Sequence, residues 1–275
     1  MYDRDGILFP IPVLSPEDTA FFRNRFQVWS DAAGGRLDAH DMRYPHLFQG
    51  WAYDLATLPA VLDVVESVIG PDILVNSTTM FCKYPNDGSW VSWHQDGYYL
   101  GLSGLSYVTA WVALTDSSMD NGCMKVVRGS HRSGKIEHDR SGDLVPNNLL
   151  PSGMQVVCEI DQKDVCYVVL SPGEMSLHHS NIIHGSNPNL SSRPRLGFAI
   201  RYQAPDVRQQ VATAPSVLAR GTDRFGYYPL LKSRPGERDA QHAIRRQKAL
   251  MRWVEQVRGG RPHEPLPEDA GLICA

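Results

Sequence analysis

Between residues 73 and 203 the chain is written as short β-prone runs broken by turn residues, and this restricts its fold more than any other feature. The runs are 73–84, 91–99, 107–115, 123–127, 155–160, 166–170, 174–179 and 195–202. Pro85-Asn86-Asp87-Gly88 punctuates the first, and residues 116–122, with Asn121-Gly122, separate the third from the fourth. Strands this short, spaced by Gly, Pro and Asn, predict an antiparallel sandwich or barrel and not an alternating βαβ fold. Helices are expected only at the flanks. Ser15 caps a helix that Pro16 opens and residues 19–29 continue. Residues 58–69 carry apolar side chains at helical spacing and stop at Gly70-Pro71. Residues 241–257 form a third helix, and the Pro-rich stretch from 261 is a loose tail.

Composition narrows the function. The 275 residues carry a net charge of -3, which excludes the basic excess of a polyanion or membrane-surface binder. No run approaches the roughly 20 apolar residues of a membrane span. The five cysteines are scattered with no CxxC pair, and the start Met1-Tyr2-Asp3-Arg4-Asp5 lacks the features of a signal peptide. A cytoplasmic enzyme is expected, without nucleic-acid or membrane partners. No linker interrupts the pattern, so one domain is expected: a helical part over about 1–70, a β core over about 71–205, and a helix and tail over about 206–275.

Ten histidines are the unexplained excess. In Trp93-His94-Gln95-Asp96 the imidazole and the carboxylate stand two apart, on one side of an extended chain. One further histidine would complete the two-His, one-carboxylate set of non-haem iron oxygenases. His184 is the favoured third ligand, with His178 and His179 as rivals. Arg195 follows His184 by eleven residues, at the start of the last β run. A guanidinium there suits bidentate capture of a carboxylate, as an enzyme using 2-oxoglutarate requires.

Taken in order, Trp93-His94-Gln95-Asp96, residues 108–114, residues 120–131 (Asp-Asn-Gly-Cys through Gly-Ser-His) and His184-Gly185-Ser186 through Arg195 resemble the phytanoyl-CoA dioxygenase family of Fe(II)/2-oxoglutarate oxygenases. The resemblance covers about residues 5–205. It implies a mainly β, double-stranded β-helix (jelly-roll, cupin-like) core with flanking α-helices. It makes His94, Asp96 and His184 the iron ligands and Arg195 the grip on the distal carboxylate of 2-oxoglutarate. Trp111 and Ser186 match positions lining the cosubstrate pocket. Thr109 is a hydroxyl donor to it, and Asn76 or Met80 completes it. Fe(II), 2-oxoglutarate and O₂ are the implied cofactors and cosubstrates. Residues 134–139 and 171–179 look most like the branch that also contains chlorinating enzymes of natural-product pathways. Those enzymes replace the carboxylate ligand by Ala or Gly, whereas this chain keeps Asp96. The resemblance therefore implies hydroxylation of an unactivated C–H bond, releasing succinate and CO₂. The substrate would be an amino acid or natural-product intermediate, free or tethered to a carrier protein. Desaturation, epoxidation, halogenation and a non-catalytic metal- or ligand-binding module are the alternatives.

The other histidines are given lesser roles. His131 is read as structural and His138 as solvent-exposed; for His46 a contact to substrate or cosubstrate is the lesser of two readings. Lys83 is expected at the surface or pocket mouth. One of Tyr98 and Tyr99 is expected to line the substrate cavity. Residues 36–51 and 137–155 are read as lid material.

Overall fold

The computed structural model describes residues 1–39, 41–139, 147–150, 155–209, 214–236, 245 and 248–252. In chain order the elements are α1 (Tyr2–Asp5), β1 (Ile7–Pro12), α2 (Pro16–Ala32), α3 (Gly50–Ala56), α4 (Pro59–Ile69), β2 (Ile73–Lys83), β3 (Val91–His94) and α5 (Asp96–Leu100). They continue as β4 (Tyr107–Ala113), β5 (Met124–Val127), β6 (His138–Asp139), β7 (Gln155–Val156), β8 (Val165–Val168), β9 (Glu174–His179), β10 (His184–Ser186), β11 (Arg195–Gln203) and β12 (Val217–Arg220). The protein is mainly β with flanking helices, and its strands pair antiparallel in a jelly roll. Among the described residues no helix is long and apolar enough to cross a membrane.

Two compact units are interleaved along the chain. The first comprises Met1–Thr19, Phe81–Leu102 and Val108–Ala199. Within it two sheets form, with the strand orders β1-β9-β4-β11 and β3-β10-β5-β8. Trp111, Ala113, Ala199 and Ile7 from the one sheet and Met124, Val126 and Val168 from the other belong to a single buried apolar cluster. Two sheets whose inner faces share one core are the packing solution for half-buried antiparallel strands.

The second unit comprises Ala20–Met80, Ser103–Tyr107 and the described residues from Ile200 on. Here α4 buries Val61, Leu62 and Val65, one stripe at helical spacing. Gly70, at φ 89°, ends the helix in a conformation that suits glycine. Trp29 of α2 packs against Trp51 of α3 with ring centroids 6.3 Å apart. The Tyr202 hydroxyl donates to the Ala56 carbonyl at 2.8 Å, and β12 pairs with β2 through Val217 opposite Val75.

Some boundaries differ from those read in the sequence. Helix α2 runs to Ala32, and the Ser15 hydroxyl accepts the Asp18 amide at 3.0 Å, as a cap does. The run 91–99 is not one strand: β3 ends at His94, and α5 begins at Asp96. The run 155–160 yields only the two residues of β7. The short elements α1, β1, α3, β6, β10 and β12 were not foreseen, because stretches of two to seven residues are too short to show a period. Of the expected C-terminal helix, residue 245 and residues 248–252 are described and helical. The rest of it, and the tail from 261, lie outside the described residues, as do 140–146 and 151–154 of the expected lid.

Candidate metal centre

The site is built within the first unit. Strand β10 lies between β3 and β5, and His184 stands directly opposite His94 in the antiparallel register. Directly opposed residues project to the same face of a sheet, and the two imidazole centroids are 4.0 Å apart. Gln95 keeps an extended backbone at φ -119°, ψ 127°. The side chain of Asp96 therefore falls on the same side as that of His94, although the strand has ended. One Asp96 oxygen, Oδ1, lies 3.7 Å from His94 Nε2. The ligand atoms of His94, Asp96 and His184 all lie within 4.8 Å of one another, and all three residues are buried.

Tautomers are fixed by the backbone. His94 Nδ1–H donates to the Ser92 carbonyl at 2.9 Å, and His184 Nδ1–H donates to the Ile182 carbonyl at 3.1 Å. Each ring thus turns its Nε2 lone pair away from the carbonyl it binds, as a metal-ligating imidazole requires. Burial, then the neighbouring His94 and His178, hold the His184 pKa well below the usual imidazole value. The ring is neutral, the form that ligates. The second Asp96 oxygen, Oδ2, accepts the Thr109 hydroxyl at 2.7 Å and lies 3.8 Å from His178 Nε2. Thr109 and His178 face each other across the β4–β9 register. Two imidazoles and one carboxylate, desolvated and oriented, are the donor set of a non-haem Fe(II) centre, so these residues fit that metal.

Arg195 opens β11 and is 2% exposed. Its Nη1 donates to the Gly122 carbonyl at 2.5 Å, its guanidinium lies over the Trp111 ring with 4.9 Å to the centroid, and its buried Nε has no hydrogen-bond partner among the described residues. Burial lowers its pKa to about 10, so it stays cationic at neutral pH. Ser186, on β10, accepts from Lys83 at 2.6 Å. Asn76, on β2 in the second unit, is fully buried, and neither amide atom is hydrogen-bonded among the described residues. Met80, the alternative to Asn76, is also fully buried in that unit.

Other placements were not read from the sequence. Lys83, expected at the surface or pocket mouth, is fully buried, and three acceptors of the first unit surround its Nζ. His138 is also buried rather than exposed. Its Nδ1–H donates to Ile136 O at 2.8 Å, its Nε2 accepts the Gln95 amide at 3.0 Å, and its ring stacks on Tyr98 at 4.0 Å. Gln95 points away from the metal face: its amide donates to Gly134 O and its carbonyl accepts from Ile136 N, which grips the same segment, and the amide also donates to Asn181 O before β10. The clue in the sequence was alternation itself, which turns the middle residue of His-Gln-Asp outward. His131 Nε2 hydrogen-bonds to Asp3 O at 3.2 Å, and its ring packs on His179, as a structural role requires. The side chain of Tyr99 lies outside those described.

Comparison with known proteins agrees with this geometry. The family model described as phytanoyl-CoA dioxygenase (PhyH) matches residues 2–197, and the chain belongs to that family. Peroxisomal phytanoyl-CoA dioxygenase of Homo sapiens is 29% identical over 154 residues, which are 54% of this chain and 45% of the human protein. The match thus spans about half the length of that curated relative. A solved structure titled as the apo form of the non-heme monooxygenase ThoJ is 32% identical, with a TM-score of 0.77 over 94% of this chain and 98% of that one. CytC3, solved with Fe(II) and alpha-ketoglutarate, is 22% identical with a TM-score of 0.59 over 87% and 92% of the two chains, and shares the fold.

Proposed function

We propose that this protein is an Fe(II)- and 2-oxoglutarate-dependent oxygenase that hydroxylates an unactivated C–H bond of a small molecule. The substrate class is an amino acid or natural-product intermediate, free or carrier-tethered. The observation that carries the reading is the buried His94–Asp96–His184 set, in one unit with a buried arginine that, among the described residues, is hydrogen-bonded to no carboxylate. Bound iron with 2-oxoglutarate and O₂ supplies an oxidant for the C–H bond while the cosubstrate loses CO₂ and becomes succinate.

The protein's part is placement. His94, Asp96 and His184 hold the metal, and Thr109 holds Asp96. Arg195, braced on Trp111, takes the distal carboxylate, and Ser186 lies beside it. Burial of all these groups excludes water from the reacting centre. The carboxylate of Asp96 fills the position that a halide would need, which favours hydroxylation over halogenation. Among the described residues Cys82, Cys123, Cys158 and Cys166 form no disulfide, in keeping with a reducing, cytoplasmic setting.

The test is turnover. Protein loaded anaerobically with Fe(II) and then given 2-oxoglutarate and O₂ is expected to form succinate. D96A is expected to lose more than the roughly 10–100-fold that follows removal of an outer-sphere partner. An Asp96→Ala variant with wild-type turnover would contradict the assignment.

A further inference from the structure

The buried cation Lys83 has no part in holding the metal, yet its surroundings give it a defined task. Its Nζ donates to Ser186 Oγ at 2.6 Å, to the Asn187 carbonyl at 2.5 Å and to the Gly122 carbonyl at 3.4 Å. An ammonium has three protons, and these three acceptors use all of them. With Lys83 charged, Ser186 Oγ receives a proton from it, and the hydroxyl's own proton points elsewhere.

Arg195 Nη1 donates to the same Gly122 carbonyl. Two buried cations thus meet on one oxygen, and among the described residues neither is hydrogen-bonded to a carboxylate. The charged and titratable groups acting on Lys83 are Arg195 and Lys125, which oppose its charge, and Asp87 and Cys123, which favour it. Burial is the larger effect, and with Arg195 it lowers the pKa of Lys83 to about 6 while no anion is bound; an anion beside the two groups opposes that shift, so the ammonium is the form of the ligand-bound site. Burying two like charges together without an acid is costly, and an anion placed beside them removes the cost.

We infer that Lys83 is a positioning residue for the distal carboxylate of the cosubstrate: by donating to Ser186 Oγ it directs the Ser186 hydroxyl proton toward that carboxylate, beside the Arg195 guanidinium. The inference rests on the 2-oxoglutarate reading above. It explains why a lysine is buried at the end of β2, where an apolar residue would fill the space without a desolvation cost. Lys83 acts on the ligand through Ser186, so the two residues form one device.

The test is calorimetric binding to Mn(II)-loaded protein, which does not turn over. Two ligands are compared: 2-oxoglutarate, and 2-oxopentanoate, which has the same keto-acid head but lacks the distal carboxylate. Wild type is expected to prefer 2-oxoglutarate. K83M is expected to weaken 2-oxoglutarate binding by about 10–100-fold, the range for a lost hydrogen bond to a charged group, and to leave 2-oxopentanoate unchanged. S186A is expected to show the same loss, and K83M/S186A no further loss, because the residues act in series. Melting temperatures confirm that the variants are folded. K83Q, which keeps a polar head but is neutral and shorter, is the second variant and is expected to lose the same preference.

A folded K83M or K83Q that retains the wild-type preference, or losses that add in the double variant, would overturn the role of Lys83. A wild type that binds both ligands equally would overturn the 2-oxoglutarate reading itself, and with it the inference.

Discussion

Asp96 is held from two sides, and its two oxygens have different work. Oδ1 faces His94, and Oδ2 takes the Thr109 hydroxyl. Removing that donor by T109V frees the carboxylate to rotate while leaving all three ligands in place. Metal affinity is expected to fall by about 10–100-fold, as for other outer-sphere partners, and titration with Mn(II) or Co(II) measures it. Unchanged affinity would show that Thr109 does not orient the ligand. In the second unit, His46 is fully buried and shares a hydrogen bond with Thr78 at 2.8 Å. Burial lowers its pKa to about 3. Above pH 6.5 the ring is neutral both folded and unfolded, so stability is full. As pH falls from 6.5 toward 3 the unfolded chain takes up a proton that the folded ring refuses. Stability then drops by about 1.4 kcal/mol per pH unit from this group. H46Q is expected to flatten that slope in denaturant melts between pH 6.5 and 4, and an unchanged slope would assign the acid sensitivity to other groups.

At the scale of elements, the site depends on how closely β4 and β11 approach. A Cβ on Gly197 would stand 1.9 Å from the Trp111 ring, so the indole occupies the space that this glycine leaves. The same ring lies against Arg195, two residues before Gly197. G197A is expected to displace Trp111, to cost about 1–3 kcal/mol of stability as overpacking does, and to weaken 2-oxoglutarate binding. A variant with wild-type stability and binding would show that Trp111 relaxes freely. Much of this level was legible in the sequence. β9 begins and ends where its alternation does, and α4 is framed by Pro59 and Gly70. The break after His94 was read over, because Trp93, Tyr98 and Tyr99 make the run aromatic, although Asp96-Gly97 at its centre are poor strand formers. The helix at Asp96 is set by tertiary contacts, among them the Gly97 amide donating to Ser180 O at 2.8 Å, and a local pattern does not record these.

For the molecule as a whole, the sequence already pointed to a small-molecule enzyme, through a charge near neutral and a motif order found only by reading the chain end to end. What it did not reveal were the polar residues that serve others from the interior. Lys83 read as a cation of the surface or pocket mouth and His138 as an exposed ring, because charge and polarity ordinarily mean exposure. Only the fold shows the acceptors that make their burial tolerable. The central claim is that His94, Asp96 and His184 hold an iron that 2-oxoglutarate chelates. The most direct measurement is anaerobic absorption spectroscopy of the Fe(II)-loaded protein as 2-oxoglutarate is added. A visible charge-transfer band that saturates with one equivalent of 2-oxoglutarate, and that is absent in H184A, is the predicted result. Absence of any band in the wild type, or an undiminished band in H184A, would contradict the account.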